Sequence, residues 1–175
     1  MNEFALDLDK IREQARVHLN QGPVTEAYGA DLPRVLNEVL ATELVCVLRY
    51  KRHFFMAQGM HGPTVAAEFK EHADDEQRHA DLIAERITQL GGEPDLNPAV
   101  LAGRSHTEYA PGNTLVDMLN EDLVAERIAI ASYAEIARWL GEGDPTSRRL
   151  IEQLLGEEEE HADDLRSLLA RLDQP

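Results

Sequence analysis

Apolar residues recur at intervals of three and four along most of the chain, and no segment alternates apolar with polar residues as a half-buried strand would. The periodicity predicts five helices: a short one over Leu6–Leu19, then long ones over Leu32–Ala57, Thr64–Leu90, Thr114–Leu140, and from Asp144-Pro145 to Leu172. Start and stop signals sit at their ends. Asp31 is the expected cap of the first long helix, with Pro33 in its first turn and Gly59 beyond its end. Gly91-Gly92 ends the second, Asn113 caps the third, Gly141 follows it, and Asp144-Pro145 opens the fourth. Two links are short and predict antiparallel hairpins. The stretch Gly91–Gly112, rich in Gly, Pro and Asn, is long enough to run along a bundle. The expected fold is all-α: a four-helix bundle of two hairpins joined by one long crossover, with an extra N-terminal helix. Residues 1–31 form the N-terminal extension and residues 32–175 the bundle domain.

Each long stripe is interrupted by acids or histidines at its middle. The first reads Leu36, Val39, Leu40, Glu43, Val47, Tyr50, Phe54; the second Phe69, His72, Glu76, His79, Ala80, Ile83, Ile87. The third reads Leu115, Leu119, Asp122, Glu126, Ile130, Tyr133, Ala137, and the fourth Ile151, Leu154, Leu155, Glu158, His161, Ala162, Leu165. The halves repeat one another. Glu76 follows Glu43 by 33 residues and Glu158 follows Glu126 by 32, while Tyr50 and Tyr133 each lie seven past a glutamate. A Glu and a His three apart share one side of a helix and can reach one metal ion. Two such pairs, Glu76/His79 and Glu158/His161, with Glu43 and Glu126 from the other helices, give six metal-ligand candidates aimed at one midpoint. Four carboxylates in an apolar core are costly unless neutralised, and two divalent cations supply the matching charge. Mixed carboxylate and imidazole donors suit iron, with manganese also possible, better than calcium or a closed zinc site.

Composition narrows the class. With 33 acidic and 17 basic side chains in 175 residues the formal charge is −16, so nucleic acid and anionic lipid are not expected partners. No apolar run reaches the roughly 18–20 residues of a membrane span. The first residues lack a basic-then-apolar signal pattern, which makes the cytoplasm the expected location. The single Cys46 excludes a disulfide framework and any CxxC site.

The stretches Thr42-Glu43-Leu44-Val45 with Tyr50, Asp75-Glu76-Gln77-Arg78-His79-Ala80-Asp81, Asp122-Leu123-Val124-Ala125-Glu126 and Glu158-Glu159-Glu160-His161 resemble the bacterioferritins and the wider ferritin-like di-iron family. The resemblance covers Leu32 to Leu172 and implies a ferritin-like bundle. By it, Glu43 and Glu126 look like terminal carboxylates, Glu76 and Glu158 like bridging ones, and His79 and His161 like one imidazole per metal. The implied activity is that of a ferroxidase: two iron ions per subunit, ferrous iron oxidised by O2 or H2O2, and the ferric product stored as mineral in a homo-oligomeric cage. The family's haem ligand is a Met directly after the bridging Glu; Gln77 stands there, so no haem is expected. The chain ends soon after the fourth long helix, without the short fifth helix of bacterioferritins, and the resemblance then favours a dodecameric, Dps-like cage. Peroxide disposal at a di-manganese or di-iron site, as in manganese catalases and rubrerythrins, is the competing reading. A DNA-protecting role is a weaker third one, since the N-terminus offers only Lys10, Arg12 and Arg16 among acids.

Around the six lie residues expected to hold the ligands in place. Tyr50 and Tyr133 are read either as core aromatics or as hydrogen-bond donors to Glu43 or Glu126. Asp75, four before His79, and Asp122, four before Glu126, are candidates to take the outward N–H of a metal-bound imidazole, with simple exposure the alternative for Asp75. His72 is read as a packed polar core residue, with an extra ligand or an access gate as the alternative. Cys46 is read as an inert buried thiol, the run Glu157–Glu160 as a solvated face carrying one ligand, and His18, His53, His61 and His106 are assigned nothing.

Overall fold

Four amphipathic helices with one apolar stripe each can bury those stripes only against one another. The computed structural model describes residues 6–19, 30–58 and 62–172 and has that arrangement. Its helices are α1 (Leu8–Val17), α2 (Asp31–Met56), α3 (Gly62–Gln89), α4 (Leu101–Arg104), α5 (Leu115–Leu140) and α6 (Pro145–Leu172). The helices α2 and α3 pack as one hairpin, α5 and α6 as the other, and the hairpins meet through α2 with α5 and α3 with α6. The four long helices fall where the periodicity puts them. No helix among the described residues is long and apolar enough to cross a membrane.

Several ends differ from expectation. Ala30, not Asp31, is the cap residue of α2 and makes no side-chain cap bond; Asp31 lies in the first turn, 3.7 Å from Arg34. Thr114 rather than Asn113 caps α5, through a reciprocal capping box with Asp117. Gly59 lies outside the described residues. The four-residue α4 is too short to show periodicity and is absent from the sequence-based prediction. The N-terminal α1 is shorter than expected, is capped by Asp7, and buries none of its residues.

The crossover is tied to α2 by buried and half-buried polar groups. Asn37 donates to the Glu93 carbonyl at 3.1 Å and accepts from the Asp95 N–H at 2.7 Å; the Thr42 hydroxyl accepts from the His106 N–H at 2.9 Å. Where the crossover turns into α5, Gly112 has φ +60°, and a Cβ there would come 2.8 Å from the Met118 nitrogen. At the far end of the bundle, buried Arg86 of α3 makes two bonds to Asp144, at 3.1 and 2.9 Å, and one to the Ser147 hydroxyl at 2.8 Å. Asp144 also accepts from the Thr146 and Ser147 N–H groups, so one carboxylate caps α6 and locks it to α3.

Two apolar clusters result. Leu32, Leu36, Leu40, Ile83, Ile87, Leu140, Ile151 and Leu154 fill one end, and Cys46, Tyr50, Phe69, Met118, Leu119 and Leu165 the other. Along every long helix the polar interruption falls between them. The fold thus places a polar layer at mid-bundle, sealed by hydrocarbon on both sides.

Candidate metal centre

Glu43 projects from α2, Glu76 and His79 from α3, Glu126 from α5, and Glu158 and His161 from α6. All six are brought together in that layer, none more than 5% exposed. They divide into two groups of four whose donor atoms lie within 4.8 Å of one another: Glu43, Glu76, His79, Glu158, and Glu76, Glu126, Glu158, His161. Glu76 and Glu158 belong to both. In the first group, His79 Nδ1 lies 3.3 Å from Glu43, 3.2 Å from Glu158 and 3.7 Å from Glu76. In the second, His161 Nδ1 lies 3.2 Å from Glu158 and 3.9 Å from Glu76.

These distances do not amount to a satisfied network. Glu43 Oε2, Glu76 Oε1, His79 Nδ1, Glu126 Oε2 and Glu158 Oε1 are buried without a hydrogen-bond partner among the described residues. An orphaned buried oxygen or nitrogen costs about 1–3 kcal/mol, more when charged. Five within two adjoining four-donor groups fit a pair of cations: the donors are hard oxygens plus imidazole nitrogens, and four carboxylates match four positive charges. Without metal, protons take part of that load. Burial and the neighbouring carboxylates hold Glu76 and Glu126 well above the usual carboxylate range. Burial acts the same way on Glu158, but the hydrogen bond with His161 and the nearby imidazole of His79 outweigh it and bring that group down to about 2. Burial disfavours charged imidazoles, yet the surrounding carboxylates raise both His79 and His161.

Hydrogen bonds cross between hairpins to fix the cluster. The Tyr50 hydroxyl of α2 donates to Glu126 of α5, and the Tyr133 hydroxyl of α5 donates to Glu43 of α2. Each tyrosine thus serves the glutamate of the other hairpin, not the one seven residues before it. Both phenols are fully buried, and burial followed by the adjacent carboxylates raises their pKa, so they remain donors.

The outward imidazole nitrogens correct the expectation for Asp122 and place Asp75 beside the imidazole of the opposite helix. His79 Nε2 lies 2.7 Å from Glu157, itself held by Arg78 at 2.6 Å, while Asp75 faces the other imidazole, 3.6 Å from His161 Nε2. Because α3 and α6 pack antiparallel, the residue preceding each shared glutamate meets the histidine of the opposite helix. The paired motifs Asp75-Glu76 and Glu157-Glu158 carried that signal, and reading the glutamate run as solvated face obscured it. Hydrogen bonds from Arg78 and His79 overcome burial and hold Glu157 down at about 2. Asp122 serves neither imidazole. It is fully buried between Arg49 Nε and His53 Nδ1, each at 2.7 Å, with Arg49 also 3.3 Å from Cys46. His53, assigned no role from sequence, in turn reaches the Pro111 carbonyl at 2.9 Å. Nothing in its local spacing marks it, since its partner is 69 residues away. Burial raises the Cys46 thiol well above its ordinary value, against the pull of Arg49.

Comparison with known proteins agrees with this geometry. Residues 34–174 match the ferritin-like domain family. The bacterioferritin of Desulfovibrio desulfuricans is 31% identical over 133 residues, 75% of this chain and 70% of that one. Its solved structure, described with a diiron site in different catalytic states, superposes with a TM-score of 0.74 and 28% identity, covering 85% and 83% of the two chains. The bacterioferritin-related protein of Bacteroides fragilis, described as a dodecameric thioferritin, gives a TM-score of 0.79 and 31% identity over 92% of this chain and 94% of that one. Dps from Thermosynechococcus elongatus shares the fold, with a TM-score of 0.78 and 22% identity over 83% and 94%. On the match that spans most of its length and on its bacterioferritin relatives, the chain belongs to the ferritin-like family.

Proposed function

We propose that this chain is a ferroxidase that detoxifies and stores iron, with ferrous ions as its substrate. The observation that carries the reading is the pair of four-donor groups sharing Glu76 and Glu158, with five unsatisfied buried atoms among their side chains. Glu43 with His79, and Glu126 with His161, would each complete one ferrous position. Glu76 and Glu158 would bridge. Two ferrous ions give up one electron each, enough to reduce O2 with two protons to H2O2, or H2O2 with two protons to water. Tyr133 and Tyr50 orient the terminal carboxylates, Glu157 orients His79, and the apolar clusters on either side keep bulk water from the layer. The diiron site of the Desulfovibrio relative supports the metal assignment. The dodecameric description of the Bacteroides protein, matched over 94% of its length, supports a dodecameric cage here, with α1, which buries none of its residues, as part of an N-terminal extension. Haem has no part in this reading: the Gln77 amide donates to Asp81 at 3.1 Å and offers no thioether.

Metal content and initial iron-oxidation rate, measured side by side for Glu43→Ala, Glu126→Ala and Glu158→Ala, test the proposal. The terminal variants should each lose one ion and Glu158→Ala both, with oxidation slowed by about tenfold to hundredfold in all three. Parental rates in all three would refute the reading, because a charged surface alone would then account for iron binding. Oxygen evolution from peroxide without iron would point to peroxide disposal instead.

A further inference from the structure

Outside the six-residue cluster, a cavity of about 430 Å³ lies over His72 and His161 between α3 and α6. His72 forms part of its floor. The residue is only 2% exposed, and its ring stacks on His161 with centroids 4.0 Å apart and planes 22° from parallel. Its two nitrogens face different neighbours. Nδ1 lies 3.2 Å from the Tyr50 hydroxyl, and that hydroxyl gives its one proton to Glu126. A hydroxyl donates once, so towards His72 it accepts. That makes Nδ1 an N–H donor and leaves Nε2 as the nitrogen turned towards the outer carboxylates.

Among the described residues Nε2 has no hydrogen bond. It faces two carboxylates instead, Glu68 at 3.5 Å and Asp164 at 4.0 Å. One donor atom from each of Glu68, His72 and Asp164 lies within 4.8 Å of the others. Two carboxylates converging on one imidazole nitrogen repel each other unless a positive charge lies between them. The guanidinium in the cavity wall, that of Arg78, is engaged by Asp75 and Glu157, and Arg171 offsets only part of the repulsion that, after burial, keeps the Glu68 carboxyl above its ordinary value.

We propose that Glu68, His72 and Asp164 form a third cation site, which takes a divalent transition-metal ion from the acidic cavity and passes it to the paired centre. Two carboxylates neutralise one divalent ion, and the imidazole favours a transition metal over calcium or magnesium. The route inward is short, because His72 also groups with Glu126 and His161, their donor atoms within 4.8 Å of one another. One ring therefore belongs both to the outer trio and to the wall of the paired centre. The site stands on its own geometry; its role as a ferrous port rests on the ferroxidase reading.

Cobalt(II) is a suitable probe, in equilibrium dialysis of the full chain against excess magnesium and in anomalous diffraction from cobalt-soaked crystals. The parental chain should hold three ions, with one anomalous peak beside His72 Nε2 and two in the cluster. Glu68→Gln/Asp164→Asn should hold two and bind the third roughly tenfold or more weakly. Both side chains reach solvent, at 27% and 57% exposure, so the double variant retains its fold. Two ions in the parental chain, and no peak beside His72, would overturn the third site and leave the pair standing. A peak beside His72 over an empty cluster would overturn the pair instead. A third ion that persists in the double variant, or that occurs in crystals but not in dialysis, would overturn the assignment of these ligands.

Discussion

Tyr133→Phe removes one oxygen from the centre and nothing else. The ring is fully buried and its packing survives the change, whereas Glu43 Oε1 loses its only hydrogen bond among the described residues. A hydrogen bond to a charged group contributes about 1.5–3 kcal/mol net, and about 1.4 kcal/mol corresponds to a factor of ten. The position built from Glu43 and His79 should therefore bind its ion about ten- to a hundredfold more weakly. The position built from Glu126 and His161 should keep its affinity, because Tyr50 still holds Glu126. Competition between the protein and a chelator for cobalt resolves the two affinities. An unchanged tight pair would refute the orienting role of Tyr133, and equal weakening of both positions would refute the crossed assignment of tyrosines to glutamates.

Other consequences follow from the same structure. Asp144→Ala leaves Arg86 buried without its partner, so metal-free protein should lose about 3–5 kcal/mol in urea unfolding; a loss below about 1 kcal/mol would contradict the lock between α3 and α6. Burial favours the neutral form of Asp144, but bonds from Ser147 and Arg86 outweigh it and depress its pKa. Its contribution is therefore complete above the unfolded value near about 4 and disappears as pH falls through the folded value, a loss that Asp144→Ala should no longer show. Purified protein incubated with haem should show no stoichiometric Soret band; one haem per dimer would contradict the reading of Gln77. Cys46, buried and with a raised pKa, should resist thiol reagents until the chain unfolds, and rapid labelling of the native protein would contradict its inertness.

The six central residues were legible because a helical stripe records which residues face inward, and an acid in mid-stripe has few other reasons to be there. The repeat then identified the partners, with Glu76/His79 matched to Glu158/His161. What stayed hidden depends on contacts between helices far apart in sequence. Arg49 sits between Leu48 and Tyr50 with nothing in its spacing to mark it as buried; Asp122, 73 residues away, and the Glu108 carbonyl, 59 residues away, account for most of its burial. His53 is hidden for the same reason. The crossing of Tyr50 to Glu126 and of His79 to Glu157 follows from antiparallel packing, which spacing along one helix cannot express. Asn37 and Thr42, which anchor the crossover, look like ordinary polar residues on α2 until the loop is laid against them.

Rapid mixing of metal-free protein with increasing ferrous iron under oxygen distinguishes a paired centre from scattered iron binding. The amplitude of the fast oxidation phase should rise to two irons per chain and then stop, since only the positions sharing Glu76 and Glu158 would pass electrons to the oxidant together. Iron bound at the outer trio would feed that phase without enlarging it. A fast phase that grows without a break at two, or that saturates at one iron per chain, would contradict a paired centre.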